Sequence, residues 1–197
     1  IGRLPVSDTA EARIVVNKIE RYIKTPDMAD WKNILCLIAD DEDGNIHMSD
    51  SEGLAIIAEE RARWAVVDKI YIDAFRQSMT STGQFYPDAT RAINDRINSG
   101  ALIVNYIGHG NETSLAHERI ISPGEISNWR NKSKLPLFIT ATCEFSRFDD
   151  ISGNPSTGSI VEKQSSGEQI LLHPEGGAIA LMSTTRLVYS APNYILN

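Results

Sequence analysis

Cysteine is scarce in this chain. Only Cys36 and Cys143 occur in 197 residues, too few for a disulfide scaffold or a cysteine-only zinc site. Long apolar runs are missing too. A membrane helix needs roughly 18 such residues, and the longest runs, such as 33–39, are strand-length. The first residues lack a basic stretch followed by an apolar core, so no signal peptide is visible. Positive charge is in deficit, with 19 basic against 26 acidic residues and a net charge of −7. A nucleic-acid-binding face needs a basic excess, so no nucleic-acid partner is expected.

What is present is ordinary globular material, 42% hydrophobic and 23% charged, which excludes disorder, collagen and coiled coil. The length suits one medium domain or a tight pair of subdomains. Both ends, Ile1-Gly2-Arg3-Leu4 and Tyr194-Ile195-Leu196-Asn197, are apolar and element-like, where termini are usually polar. The expectation is that 1–197 is a piece of a longer protein.

Helical and strand patterns alternate along the chain. Asp8-Thr9-Ala10-Glu11 resembles a capping box. Ile14, Val15, Val16, Ile19, Tyr22 and Ile23 follow at helical spacing, and Thr25-Pro26 stops that helix. Ile34–Ala39 is a continuous apolar run, as in a buried parallel strand, and it ends in the acidic loop Asp40-Asp41-Glu42-Asp43-Gly44. A helix is predicted from Ser51, with Leu54, Ile57, Ala58 and Trp64 inward. Lys69–Asp73 reads as a second strand. Pro87 opens a helix with the stripe Ala89, Ile93, Ile97. Ala101–Tyr106, Leu135–Ala141 and Gly177–Met182 are three further strands. A short helix is predicted near 159–164. The stretch 152–168 is rich in Gly, Ser, Pro and Thr and reads as a surface loop. Such units give parallel pairing through right-handed crossovers. The predicted fold is α/β, a doubly wound, mainly parallel sheet with helices on both faces.

Ligands of open parallel sheets sit beyond the carboxyl ends of the strands. There the sequence offers Asp40–Asp43, then Gly108-His109-Gly110, then Thr142-Cys143-Glu144. A thiol is reactive as the thiolate, and a neighbouring imidazole can take its proton. The flanking glycines free backbone for a sharp turn, and the Gly110 and Cys143 N–H groups are candidates to face an oxyanion. A carboxylate from the acidic loop could orient the imidazole. Blander readings stand beside this one. Gly-His-Gly also suits a tight turn, and the acidic run suits a solvated turn, without the spacing of an EF-hand. Cys36, inside its strand, reads as a small buried hydrophobe. His47, His117 and His173 have no spacing that reads as a zinc site.

Two stretches carry a family resemblance. Asn105-Tyr106-Ile107-Gly108-His109-Gly110-Asn111-Glu112-Thr113 is followed, 34 positions after His109, by Cys143 at the end of Leu135-Pro136-Leu137-Phe138-Ile139-Thr140-Ala141-Thr142. The pattern resembles the caspase-like cysteine peptidases and, within them, the gingipain family, peptidase family C25. Ile1-Gly2-Arg3, Trp31 and Ala180-Leu181-Met182-Ser183-Thr184-Thr185 extend the resemblance over the whole chain. It implies a caspase-like fold, with Cys143 as nucleophile, His109 as general base and acid, and Gly110 as an oxyanion donor. The family's orienting acid follows the first strand. Glu42 aligns there without gaps, and Asp41 is as plausible. The family's acidic specificity residue falls near Asp50, and an aromatic of its specificity pocket at Tyr189.

Within the family, 167–172, 176–181 and 183–189 resemble the sortase branch of the type IX secretion system. That likeness implies a location on the outward face of the outer membrane, at the surface of a Gram-negative bacterium of the Bacteroidetes phylum. It implies cleavage of C-terminal sorting domains from exported proteins, and transfer of the new C-terminus to a lipopolysaccharide. Other outer-membrane secretion components would be its partners. A purely hydrolytic gingipain-like protease and a non-catalytic caspase-like binding module are the alternatives. The mechanism requires no cofactor and no metal, although related peptidases bind calcium and the acidic loop offers oxygen ligands. The 152–168 loop, just past Cys143, is a candidate lid.

Overall fold

The computed structural model describes residues 2–24, 29–81, 83–153 and 160–188, with 151–153 and 160–162 described by backbone alone. In chain order the elements are α1 (Thr9–Lys24), β1 (Ile34–Ala39), α2 (Ile46–Arg61), β2 (Val66–Tyr71), β3 (Ser78–Thr80) and β4 (Gly83–Phe85). They continue with α3 (Pro87–Ser99), β5 (Ile103–Ile107), α4 (Pro123–Asn128), β6 (Leu137–Ala141), β7 (Ile151–Gly153), β8 (Ile160–Glu162), α5 (Ser166–Leu172) and β9 (Ala180–Ser183).

Five strands form one sheet in the order β2-β1-β5-β6-β9, with every pair parallel. The chain steps from β1 out to β2, then returns across β1 to β5. Right-handed crossovers in opposite directions place α2 and α3 on opposite faces of the sheet. The central strands are apolar on both faces because both faces are covered. Cys36, Ile38, Val104, Tyr106 and Phe138 are buried with Ile93 and Ile97 of α3 and Trp129 after α4 in one core. The indole of Trp129 stacks on Phe138 and donates its N–H to Asn94 at 2.7 Å.

Asp8 caps α1, its Oδ1 accepting from the N–H groups of Ala10 and Glu11 at 2.7 and 2.8 Å. On the buried face of α1, Lys18 sends its ammonium to the carbonyls of Leu171, His173 and Gly176 at 2.8, 3.3 and 2.9 Å. These are orphan acceptors at and beyond the end of α5. Burial lowers the Lys18 ammonium from its ordinary value to about 8.

The structure corrects several sequence expectations. Helix α2 starts at Ile46, ahead of Ser51, and its buried positions are His47, Ser51 and Ala55. Ile57 and Trp64, expected inward, are 53% and 57% exposed. No helix spans 159–164, because Ile160–Glu162 is a strand paired antiparallel with Ile151–Gly153. Ser165 and Ser166 are buried in place of the expected surface loop, and Glu168 closes a capping box with Ser165 that starts α5. Residues 154–159 lie outside the described residues. No described helix is long and apolar enough to cross a membrane.

Candidate active site

Register decides where the functional side chains stand. Ala39 pairs with Ile107, and Ile107 with Ala141. The three strands therefore end level, and the residues after them, 40–43, 108–110 and 142–143, share one edge. Asp40 is the first residue past β1. It is 1% exposed, and its N–H donates to Ile107 O at 3.0 Å. Its Oδ2 accepts the backbone N–H of His109 at 2.8 Å. Gly108 permits this approach. A Cβ there would stand 2.3 Å from the Cβ of Asp40 and 2.6 Å from the Tyr106 hydroxyl. Gly110 is equally constrained, since a Cβ would meet Thr142 Oγ1 at 2.4 Å. The glycines on either side of the histidine thus let its loop close against β1 on one side and the cysteine loop on the other.

The His109 peptide is held at both ends. Its carbonyl accepts the Tyr106 hydroxyl at 2.6 Å and the Ala116 N–H at 2.9 Å. Its ring Nε2 lies 3.0 Å from Asp43 Oδ2 and 3.8 Å from Glu42 Oε2. Asp41 turns away and accepts the Tyr86 hydroxyl on Oδ2 at 2.6 Å. Of the carboxylates expected at the imidazole, Glu42 is in its outer reach and Asp41 is not; the nearest is Asp43. Nε2 is thus engaged by a carboxylate, while Nδ1 has no hydrogen-bond partner among the described residues.

Two more histidines surround this ring. His117 stacks on it with centroids 5.0 Å apart and planes within 15°, while His47 meets it edge-on at 5.4 Å. Glu42 bonds His117 Nδ1 at 2.8 Å and holds that imidazole above its ordinary range. Their separations in sequence concealed this arrangement. One signal was available for His47, which stands four residues after Asp43 at the start of a helix. None was available for His117, which returns to His109 through a turn with positive φ at Ala116 and Arg119.

Cys143 is the second residue past β6 and is half-buried. Its thiol donates to Val188 O at 3.5 Å. No hydrogen bond joins it to His109 among the described residues. The backbone N–H groups of Gly110 and Cys143 donate to no acceptor among the described residues. Donors without a partner at a strand end can receive developing negative charge. The 184–188 segment runs beside the cysteine loop. Thr184 Oγ1 donates to Thr142 O, and Glu144 N–H donates to Arg186 O at 3.3 Å. Arg186 forks onto Asp149 with bonds of 2.9 and 2.6 Å. Asp50 is half-buried on α2, one turn beyond His47, and Tyr189 lies outside the described residues. Cys36 has the opposite setting. It is 1% exposed inside β1, and burial pushes its thiol far up.

The parallel five-stranded α/β sheet, with an imidazole and a thiol just past two adjoining strands, defines the class of fold. The chain belongs to peptidase family C25, whose family model matches residues 1–197. It is similar in structure to gingipain R (RgpB), an Arg-specific cysteine proteinase, with a TM-score of 0.76 and 18% identity over 98% of this chain and 41% of that one. The complex of the pro- and mature domains of Porphyromonas gingivalis RgpB gives 0.74 and 17%, over 98% of this chain and 42% of that one. A third structure, described as a protease, gives 0.70 and 18%, over 96% and 37%. The chain thus spans about two-fifths of the length of the solved structures it resembles. No curated protein matches it significantly in sequence.

Proposed function

We propose that this chain carries the nucleophile and general base of a C25 sortase of the PorU type, acting on the C-terminal sorting domains of exported proteins at the cell surface. The observation that carries the peptidase reading is the level ending of β5 and β6, which puts Cys143 and His109 on one edge with two N–H groups that have no acceptor among the described residues. The sortase reading leans on the Thr184–Arg186 stretch, which lines the cysteine loop.

The chemistry follows from these groups. His109 Nδ1 takes the Cys143 proton as sulfur attacks the scissile carbonyl. The Gly110 and Cys143 N–H groups receive the oxyanion. Asp43 steadies the imidazolium. The C–N bond breaks, and His109 returns the proton to the leaving amine. An acyl-thioester stays on Cys143. An incoming amine, such as one on a lipopolysaccharide, then forms a new C–N bond as C–S breaks, and its proton passes through His109 back to sulfur. Discrimination against water needs a covered site, and the 152–168 stretch just past the nucleophile is the candidate cover. Asp50 and Tyr189 are the proposed specificity residues.

Hydrolysis is the second reading, favoured by the exposure of His109, whose side chain is 36% accessible. Mass spectrometry of the native protein with a sorting-domain substrate and excess amine separates the two. A ligated product supports the sortase. Free acid alone at saturating amine supports hydrolysis, and neither product, with an unreactive Cys143, leaves a binding module.

A further inference from the structure

Helix α2 buries an imidazole that the peptidase chemistry above does not use. His47 is the second residue of that helix and is 7% exposed. Left-handed backbone at Asp43, Gly44 and Asn45 turns the acidic loop sharply into the helix. The turn brings Asp43 back beside His47, four residues on. One oxygen of Asp43 then faces two imidazoles. Oδ2 stands 3.0 Å from Nε2 of His109 and 3.5 Å from Nε2 of His47. On the β1 side, Asp40 places a carboxylate oxygen within 4.8 Å of a nitrogen of each ring. That same carboxylate accepts the His109 backbone N–H. His47 therefore stands beside both carboxylates that fix His109, one at its peptide and one at its ring. The two rings also touch, edge to face, with planes at 89°.

Filling space does not account for this residue. A buried nitrogen without a hydrogen bond is costly, and His47 Nε2 is buried and makes none among the described residues. An apolar side chain would fill the same volume without that cost. The gap to Asp43 is one that a small shift of the carboxylate closes, and catalytic hydrogen bonds are often long before substrate binds. Asp43 needs such a partner. Its side chain is 55% exposed, and a carboxylate orients an imidazole only while it stays in place. Water alone would let it swing. We infer that His47 is a positioning residue for the general base, holding the Asp43 carboxylate against the His109 ring. With its proton on Nε2 it donates to Asp43 from a rigid helix, the kind of support that a precise site requires. His47 touches no reacting atom and acts through Asp43. The inference rests on the proposed peptidase function, in which His109 is the base.

The test is a double-mutant cycle on the native protein, with kcat and KM measured on a sorting-domain substrate. His47→Leu is expected to lower kcat by about tenfold or more through a misplaced carboxylate, with KM little changed. His47→Gln keeps an N–H donor near the place of Nε2 and is expected to stay within about threefold of wild type. If the Leu variant does not fold, His47→Met gives the same contrast. In the Asp43→Asn background, His47→Leu is expected to add less than about twofold, because the residue it acts through is already gone. A role in packing alone predicts the reverse, with Gln no better than Leu and losses that multiply in the double variant. Either result overturns the inference, as does full turnover in His47→Leu. A second readout needs no turnover. The imidazole proton shared by His109 and Asp43 is expected as a slowly exchanging, downfield proton resonance in the wild type. His47→Gln should keep it, and His47→Leu should lose it to exchange with water. A wild type without that resonance, or a Leu variant that retains it, overturns the inference. An inactive wild type that shows the expected resonances counts against the peptidase reading and not against the placement of Asp43 by His47.

Discussion

The two cysteines sit in the same kind of sequence, an apolar run of strand length, and end in opposite settings. Cys36 lies in the third position of β1, walled by the core, with a thiol that burial holds protonated. Cys143 lies two residues beyond β6, where the sheet ladder has ended and its own N–H and that of Gly110 have no acceptor among the described residues. Distance from the strand end, not local composition, separates a packing thiol from one that can react. A strand interior satisfies its backbone and excludes solvent; a strand end in a parallel sheet does neither, and a loop must complete it.

The largest expected effect tests the contrast directly. Cys143→Ala is expected to lower turnover by about 10⁵-fold or more with a stability change within about 0.5 kcal/mol. Cys36→Ala is expected to keep turnover and cost about 1 kcal/mol through the lost packing; kinetics and thermal melts on both variants check this. If Cys36→Ala were the inactive one, the contrast would be reversed.

His109→Ala is expected to match the Cys143 loss in turnover and also to slow alkylation of Cys143, read by mass spectrometry. In the native protein, Cys36 is expected to resist the same reagent even at pH 9, because its proton is held well above the ordinary thiol value. Only unfolding should expose it. Rapid native labelling of Cys36 at that pH would break the comparison.

A smaller effect sharpens the strand-end side. Asp43→Asn is expected to reduce turnover by about 10²-fold, and Glu42→Gln by less, since Glu42 Oε2 stands 3.8 Å from the imidazole against 3.0 Å for Asp43. The opposite ranking would return the orienting role to Glu42. The smallest is Tyr106→Phe. It removes the hydroxyl that bonds the His109 carbonyl and is expected to cost about 1 kcal/mol in chemical denaturation.

Legibility followed the same boundary. The stripe of α3 was readable because Ala89, Ile93 and Ile97 face an apolar core. The inner face of α2 was not, because its buried positions His47 and Ser51 are polar and its isoleucines point to solvent. The three strand ends could be placed on one edge from the alternation alone, which brought Cys143 and His109 into view. What stayed hidden were the partners of His109. Asp43 was one carboxylate among four in a loop whose turn comes from left-handed backbone at Asp43, Gly44 and Asn45. His117 and Glu118 depend on a turn whose sequence carries no glycine to mark it.

Lys18 has a consequence in time. Its acceptors at Leu171 and Gly176 lie 153 and 158 positions away. At a synthesis rate of about 5–20 residues per second, α1 would wait about 8–30 s for them to be made. Throughout that wait the lysine is unburied and fully charged, a solubilising group on the face the helix will later bury. The residue that locks α1 to the later-made α5 therefore also keeps its inner face from sticking elsewhere first. The last turn of α5 closes a clasp whose other half was made earlier.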